Sequence, residues 1–450
     1  MPPPPPVLHG LSTMTTLTLP ASSEAIRLYR LAQNKVTRQQ GDARFKANQQ
    51  LLRARLALVQ SFSAQSLARL LAAPAQHAID KEHLLWFWCN HFNVFWRKGL
   101  VGAALPDYVE SAIRPHILGN FKDLLLAALS HPAMLVYLDN QRNVTGKINE
   151  NLARELLELH TLGVNGGYSQ QDVQQVAEVL TGVGLRPMKA FRLPPRLQQL
   201  AVIQGEFMFD PRRHSFTTKT VLGQRISPLG FDEIGQLIDI LVAHPATARH
   251  IAGKLGTFLL GDAPPQGAIT NAAGVFASTH GDLAQTISAL LPFARQVTQP
   301  SFKDPLRFVL SATRLLANGN EIGNVKPVAR WLRLLGQPLF GHQTPDGYNL
   351  VGSAWQSAGQ LTQRIELARE MVQVVPRLVN RPANPRQLLA RLGLENTGPQ
   401  RPTTGLPAGR INLSENTLST LMSAQPPPER LALLLASPEF MFWLPGAHHA

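Results

Sequence analysis

The chain has 450 residues, of which 44% are hydrophobic, so it is long enough to bury a large core, and its formal net charge is +14. A single cysteine, Cys89, excludes a framework of intrachain disulfides. The positive charge can attract anionic partners. However, the basic residues are scattered and no zinc-finger or RNA-binding signature occurs, so nucleic-acid binding is not expected.

The N-terminal stretch carries five consecutive prolines, which predict an extended polyproline arm that we assign, as disordered, to residues 1–22. This stretch lacks the basic and apolar regions of a secretory signal peptide. No part of the chain reaches about 18 consecutive apolar residues, the length that a membrane span needs. The sequence on its own therefore predicts a cytoplasmic protein without a membrane span.

Helical periodicity dominates residues 23–375, which we predict to form one helical core domain. A serine break near Ser61 is expected to separate two early helices. The stretch from Asp80, a good N-cap, to Gly99 is apolar almost all round. We therefore expect a central, buried helix there, with Cys89 as an inert thiol inside it.

The next helices frame a polar segment. Asn120 can cap one helix, which a His-Pro step at His131 is expected to interrupt. Residues 149–162 are predicted to form another helix that stops at Gly163, because glycine tolerates the left-handed conformation of a helix end. Ser169 is expected to start the following helix as its N-cap.

The rest of the chain is predicted to be helical apart from irregular pieces. Residues 184–230 form a Pro- and Gly-rich insertion, in which 205–223 can pair as a short hairpin, and 336–355 form an aromatic loop. Residues 376–412 are expected to be flexible, and 413–450 to form helices that pack on the core. The predicted fold class is all-α: a large multi-helix body of roughly fifteen helices, with long irregular loops and at most a short β-hairpin.

Several stretches together resemble one bacterial family, catalogued as domain of unknown function 1800. In the family's order they are FWCNHFNV (87–94), HPAMLVYLDN (131–140), NENLARELLELHTLGVNGGYSQQDVQQVAEVLTG (149–182), HSFTTKTVLG (214–223), HPATARHIAGKL (244–255), GQPLFGHQTPDGYNLVGSAW (336–355) and SPEF (437–440). The block at 149–182 is the longest of them and highly specific.

The resemblance implies a mostly helical protein, frequent export from the cytoplasm, and a sulfatase-like protein encoded nearby as partner in a binding or assembly function. It implies no known reaction, and the cofactor is left open. The chain departs from the family pattern in three places. The N-terminal region is shortened, Ser215 follows His214 where the family often has aspartate, and Asn349 stands where the family often has proline.

The polar segment before Gly163 admits three interpretations, of which the first needs no chemistry. At about 100° per residue, Glu150, Arg154 and Glu158 follow one another on one face, where they can form a salt-bridged ladder. Each such pair contributes only about 0.3–0.5 kcal/mol. A solvated ladder with a histidine at the edge of the core explains the segment.

A metal site is the second interpretation. Glu155 and His160 are five residues apart, whereas helical di-metal proteins present their ligands as Glu-x-x-His. One α-helix therefore cannot direct both side chains at one ion. A bound metal would take only one of them, with its other ligands from His91, His131 or His214, and we assign no metal ligands from this sequence.

A polar cleft inside the helical body is the third interpretation, because buried charges cost several kcal/mol unless they are paired. An enzyme acting on an anionic small molecule or a sugar would use His160 or His214 as acid and base and Glu155 to orient the histidine. The candidate ligand-binding residues are Asn90, His91, His131, Arg154, Glu158, Tyr168 and Lys219.

Two functions thus remain open, a non-catalytic partner of a sulfatase-like protein and an enzyme. The partner function predicts that Arg154, Glu155 and Glu158 are exposed or merely ion-paired. The enzyme function predicts that these groups converge with histidines from distant parts of the chain in a pocket.

Overall fold

The computed structural model describes residues 22–73, 80–189, 192–394 and 413–445. The all-α prediction is confirmed, with twenty α-helices in these residues rather than about fifteen. The proline-rich arm, up to residue 21, lies outside the described residues, as does 395–412 of the segment predicted to be flexible. The domain boundaries stay a prediction.

The α-helices, in chain order, are α1 (Ser22–Thr37), α2 (Gly41–Ala72), α3 (Lys81–His91), α4 (Val101–Asp107), α5 (Phe121–Ser130), α6 (Pro132–Tyr137), α7 (Asn151–Glu155), α8 (Gln170–Val179), α9 (Pro195–Gln198), α10 (Asp232–Ala243), α11 (Pro245–Leu260), α12 (Gln266–Ser278), α13 (Leu283–Leu290), α14 (Pro305–Ala317), α15 (Lys326–Leu334), α16 (Ala358–Val374), α17 (Pro385–Arg391), α18 (Glu415–Ser423), α19 (Pro427–Ala436) and α20 (Pro438–Met441). Two π-helical segments, Tyr108–Ile113 and Leu156–Thr161, extend α4 and α7.

Seven short strands form three antiparallel sheets within the described residues, which is more than the single hairpin expected. The strands are β1 (Val183–Leu185), β2 (Val202–Gln204), β3 (Phe207–Phe209), β4 (Lys219–Val221), β5 (Gln224–Ile226), β6 (Ser301–Phe302) and β7 (Phe442–Trp443). The hairpin predicted within 205–223 is wrong, because β3 lies between β1 and β2 while β4 pairs with β5. All three residues of β3 are buried, so a partner strand on each edge satisfies its backbone.

The central, buried helix is confirmed. Every residue of α3 from Leu84 to His91 is buried, and Asp80 caps its N-terminus by accepting the His83 N–H. The helix ends at His91, eight residues before Gly99. The aromatic core around it includes Trp88, whose indole N–H donates to the Ile117 carbonyl at 3.1 Å. A helix that is apolar on all sides therefore lies in the middle of the body, as its composition requires.

Histidine caps begin two helices and explain the interruption expected at His131. The Nδ1 of His131 accepts the Ala133 N–H at 3.1 Å, and the Nδ1 of His244 accepts the Ala246 N–H at 3.2 Å. A proline occupies the first helical position after each histidine, where the missing N–H costs nothing.

The break expected near Ser61 is wrong, because α2 runs without interruption for 32 residues. The Ser66 hydroxyl donates a hydrogen bond to the Phe62 carbonyl at 3.0 Å, so its polar group is satisfied inside the helix. Buried residues occur only in the second half of α2, from Val59 onwards. The first half extends beyond the core.

Two buried cations lie where α16 meets the C-terminal elements. The guanidinium of Arg364 lies 4.3 and 4.9 Å from the ring centroids of Phe302 and Phe308. The Nζ of Lys303 lies 4.0 Å from the ring centroid of Phe440 and 3.1 Å from the Ser311 hydroxyl. Cation–π contacts thus partly replace the water that both groups have lost.

Lys303 generates a prediction about stability. Burial, then the charge of Arg364, lowers the pKa of Lys303 to about 7. Between pH 7 and about 10.4, the unfolded state binds a proton that the folded state lacks, so the free energy of unfolding rises with pH. We expect Lys303→Met to be more stable than wild type by about 1–3 kcal/mol at pH 6, and we expect this difference to shrink and then reverse as the pH rises towards 10.

Urea denaturation of both proteins at pH 6, 8 and 10 measures this difference. Lys326→Met, at the exposed start of α15, is the control and should track the wild type throughout. A constant difference between Lys303→Met and wild type over this range would show that Lys303 is charged in the folded protein.

Candidate functional site

The polar segment before Gly163 changes its helical form half-way. The α-helix α7 ends at Glu155, and the chain continues as a π-helix in which the Leu162 N–H donates to the Leu157 carbonyl at 2.9 Å. The predicted single α-helix is therefore wrong beyond Glu155, and the angles projected from it do not hold. π-Helical turns of this kind occur frequently at functional sites.

Gly163 ends the helix as predicted, with φ +83°, and the position has a second requirement. A Cβ atom there would lie 2.8 Å from the Nδ1 of His250. Glycine is thus needed both for the left-handed conformation and for the close approach of α11.

The predicted salt-bridged ladder forms only in part. Arg154 bonds to Glu150 at 2.9 Å and to the side chain of Gln170 at 2.9 Å, with its own side chain 41% exposed. Glu158 instead accepts the Tyr168 hydroxyl at 3.2 Å. Arg154 is therefore a surface ion-pair residue, and its geometry matches the interpretation that needs no chemistry.

His91 and His160 are brought together at the end of α3. The Nε2–H of His91 donates to the His160 carbonyl at 3.2 Å, and the Nδ1–H of His160 donates to the His91 carbonyl at 3.1 Å. Because a carbonyl can only accept, these bonds fix both tautomers. The other ring nitrogens, Nδ1 of His91 and Nε2 of His160, are buried and without a hydrogen-bond partner among the described residues.

Both imidazoles are neutral. Burial, followed by the charge of Lys254, lowers the pKa of His160 to about 3 and that of His91 well below its usual value. His250, on the same face of α11 as Lys254, donates its Nε2–H to the Leu159 carbonyl at 3.0 Å, and the same two causes lower its pKa. The charge of Lys254 therefore acts on all three histidines and, with burial, keeps them uncharged.

Lys254 itself is half-buried, and among the described residues it has no hydrogen bond and no ion pair. Burial lowers the pKa of its ammonium to about 8, and the carboxylate of Asp346 opposes this shift only partly. A lysine that is withdrawn from water without a bonded counter-charge is available to a ligand or a proton.

The loop that carries Asp346 is fixed to the body by side chains that reach its backbone. The Asn90 side chain donates to the Tyr348 carbonyl at 2.8 Å and accepts the Tyr348 N–H at 2.7 Å. Asn93 donates to the carbonyls of His342 and Thr344, at 3.2 and 2.7 Å. The aromatic loop is therefore part of the core rather than an open groove.

The contact between Asn90 and the aromatic loop also requires glycine at position 347. Its φ is +72°, and a Cβ atom there would lie 2.2 Å from the Asn90 carbonyl oxygen. The tight approach places the neighbouring Asp346 carboxylate, 60% exposed, 3.7 Å from the His342 ring. Tyr137, whose hydroxyl donates to the Gln343 carbonyl at 2.7 Å, closes this end of the loop.

Glu155 makes no ion pair among the described residues, and the charge of Asp346 in this loop acts on its carboxyl. Partial burial raises the pKa of its carboxyl, and the charges of Glu158 and then Asp346 add to that rise. The Asp346 charge acts on Lys254, Glu155 and Tyr137 alike. We call Lys254, Glu155, Asp346 and Tyr137 the Lys254 cluster.

The Lys254 cluster combines two groups whose pKa values are shifted towards each other. The ammonium releases its proton more easily than an ordinary lysine, and the Glu155 carboxyl retains its proton more readily than an ordinary glutamate. Such opposed shifts are the arrangement that acid and base catalysis uses near neutral pH.

His131 and His214 lie in other contacts. The ring of His131 caps α6 and donates its Nε2–H to Asp107 at 2.8 Å, so both nitrogens are used. His214 contacts Thr181 through Nδ1 and Glu233 through Nε2, at 2.9 Å each. Neither histidine contacts Glu155 or His160 among the described residues, so the structure assembles Glu155, His160 and His214 into no common cleft.

Lys219 belongs with His214 in a fully buried group. Its Nζ donates to Glu233 at 2.7 Å and to the Ser215 carbonyl, and the Lys219, His214 and Glu233 side chains are all unexposed. Although burial opposes the shift, hydrogen bonds from His214 and then Lys219 lower the pKa of Glu233. This buried triad is satisfied internally and ties β4 to α10.

Sequence reasoning missed Lys254 as a candidate, and it missed Glu233 as the partner of Lys219. Lys254 lies in the stretch 244–255, and Asp346 in 336–355, both of which carried the family resemblance. Both stretches contain charged residues next to glycines and histidines, and this pattern could have indicated a site. Only the folded chain brings the two stretches together.

The described residues contain no group of three or more His, Cys, Asp or Glu side chains arranged to hold a metal ion.

A small cleft next to Asn90, of about 20 Å³, has room for about one water molecule. Its lining includes Trp86, Asp304, Arg307 and Tyr348. No helix in the described ranges combines the length and apolarity needed to cross a membrane.

Comparison with known proteins gives a family and no activity. The model of the family described as "Protein of unknown function (DUF1800)" matches residues 11–442, nearly the whole chain. No curated protein and no solved structure matches the chain.

The buried triad generates a prediction. Glu233→Gln leaves the Lys219 ammonium in the core without a counter-charge, and we expect a loss of about 3–5 kcal/mol in the free energy of unfolding at pH 7. Because the pKa of Glu233 is lowered, the wild-type advantage is present above the unfolded pKa of about 4.3 and is lost as the pH falls through the folded value.

Urea denaturation at pH 7 and pH 4 measures this loss. Glu429→Gln, which removes the exposed 3.2 Å pair with Arg369, is the matched control and should cost less than about 1 kcal/mol. Equal costs for the two variants would contradict a structural function for the buried triad.

Proposed function

The chain belongs to the DUF1800 family of proteins of unknown function, and we propose that it binds a small anionic or hydroxyl-bearing molecule, such as a sugar, at the Lys254 cluster and carries out acid/base chemistry there. The observation that carries this proposal is the half-buried Lys254 without a bonded partner. The family description names no reaction, so it offers no known activity with which the proposed site could be compared.

The contrast with Lys219 supports the proposal. Both lysines are withdrawn from water, yet Lys219 is bonded to Glu233 at 2.7 Å while Lys254 has no bonded partner within the described residues. A buried ammonium without compensation costs several kcal/mol. A lysine that only stabilised the fold would be expected to have a partner such as Glu233.

The proposed roles follow from the burial of these groups and from the directions of their pKa shifts. Lys254 holds an anionic group in its charged form and accepts a proton in its neutral form. Glu155, with its raised pKa, donates a proton, and Asp346 moderates both groups through its charge. The very low pKa of His160 favours Lys254 over this histidine as the acid/base, while His91, His160 and His250 form the uncharged wall of the site.

The partner function with a sulfatase-like protein, which the family resemblance implies, stays a prediction. Arg154 has the surface ion pair that such a function expects, but an ion pair of this kind identifies no partner.

Competitive labelling tests the charge state of Lys254. Trace acetic anhydride is added to the intact protein between pH 6 and 11, and peptide mass spectrometry follows each lysine. We expect acetylation of Lys254 to reach half of its maximum near pH 8, as its lowered pKa requires. The exposed Lys326 is the internal reference for reagent reactivity. A midpoint for Lys254 above about 9.5, close to an ordinary lysine, would overturn the proposed role.

A pair of substitutions separates a functional lysine from a structural one. Lys254→Met removes an unpartnered buried charge, so we expect stability equal to wild type or about 1 kcal/mol higher. Lys219→Met deprives Glu233 of a partner and should cost about 3–5 kcal/mol. Urea denaturation measures both values.

The same variants test ligand binding with inorganic phosphate as the probe. We expect phosphate to raise the melting temperature of the wild type and to protect Lys254 from acetylation, and we expect Lys254→Met to lose the thermal effect. If Lys254→Met is destabilised as strongly as Lys219→Met, or responds to phosphate like the wild type, Lys254 does not form the proposed site.

A further inference from the structure

The first two helices form a hairpin that extends from the body. Between Val36 and Val59 no residue is buried, although this stretch includes the first half of α2. The helix is fixed to the body at Arg55, which donates to the Tyr29 hydroxyl at 3.2 Å and to the Gly99 carbonyl. At 1.5 Å per residue, the free part of α2 before Arg55 is about 20 Å long.

The hairpin is strongly basic. Residues 22–58 contain eight basic and two acidic side chains, so they contribute +6 of the net charge of +14. Arg30 is paired with Glu206, and Arg55 is turned towards the body. The other six basic residues make no ion pair within the described part of the chain; they are Arg27, Lys35, Arg38, Arg44, Lys46 and Arg53.

Large apolar side chains lie among these charges. Phe45 is 65% exposed and Leu52 is 43% exposed, and a separation of seven residues places both on one face of α2. Lys46 and Arg53 follow them by one residue each, so they flank this face. On α1, Leu28 is 57% exposed beside Arg27. The hairpin therefore presents an apolar strip with basic margins.

The charges beside the apolar strip of the hairpin indicate which kind of partner surface the strip fits. A second copy of the chain meeting the same face would bring six uncompensated positive charges against six others. Nucleic acid would be held by the basic residues alone and would leave the phenylalanine and leucine in water. An anionic bilayer surface satisfies both features, because basic side chains bind its headgroups while apolar ones enter the interface.

We propose that this hairpin binds the surface of anionic phospholipid membranes, with Phe45 and Leu52 inserted at the interface and Lys46 and Arg53 at the headgroups. The binding is peripheral and reversible. It is independent of the function proposed for the Lys254 cluster, since no residue is shared between the two surfaces.

Co-sedimentation of the full chain with vesicles tests the proposal. We expect binding to phosphatidylcholine vesicles that contain 30% phosphatidylglycerol, weakening with salt, and none to pure phosphatidylcholine. Lys46→Glu with Arg53→Glu should weaken binding at least tenfold, since each basic residue near the surface contributes about fivefold. Phe45→Ser with Leu52→Ser should also weaken binding at least tenfold.

One double variant serves as the control. Arg225→Glu with Arg295→Glu changes the net charge equally at exposed positions elsewhere and should retain most of the binding, and melting temperatures confirm that all variants fold. Absence of binding, or binding that the hairpin variants retain, overturns the proposal. So does duplex DNA binding that depends on the charges but not on Phe45, or capture of an acidic protein by a hairpin that binds no vesicles.

Discussion

The buried end of α3 is the constraint from which the site is built. A helix end in the middle of a core leaves polar groups without water, and each must find a partner in another segment. Asn90 and Asn93 satisfy this need by binding the backbone of the aromatic loop, and His91 does so through its exchange with His160. The Phe92 carbonyl accepts the Tyr108 hydroxyl at 2.8 Å. Four consecutive residues therefore fix three other segments, two of which, the aromatic loop and the segment before Gly163, carry functional candidates.

The cationic residues that are withdrawn from water differ in what stabilises their charge. Lys219 is neutralised by Glu233 in the buried triad, and Lys303 and Arg364 rest on aromatic rings. Lys254 has neither kind of support within the described residues, and its charge acts on His91, His160 and His250. Of these four cations, Lys254 is therefore the one without a bonded counter-charge or a ring contact within the described residues, and the proposed binding site is based on it.

The hairpin of α1 and α2 and the Lys254 cluster share no residue, and we propose a different function for each. For the cluster we propose the binding of a small polar molecule, beside imidazoles that are uncharged. The hairpin carries almost half of the net charge on a small part of the chain. With both proposed functions, the protein would hold its small-molecule site near the surface of an anionic membrane without spanning that membrane. Apolar and basic side chains on one helix face favour the membrane interface over both water and the lipid interior.

The sequence by itself determined the helical class, the family, the buried character of α3, the caps at Asp80 and Ser169 and the end at Gly163, because these depend on local periodicity and on the chemistry of single residues. It did not determine that α7 becomes a π-helix after Glu155, which altered every angle projected beyond that residue. Only the tertiary structure placed Lys254 beside His91 and His160, separated His214 from them, and paired Lys219 with Glu233. The physical reason is that a charge acquires its pKa and its partner from residues elsewhere in the chain, 14 positions away for Lys219 and 92 for Lys254 and Asp346, and packing, not sequence spacing, sets those distances.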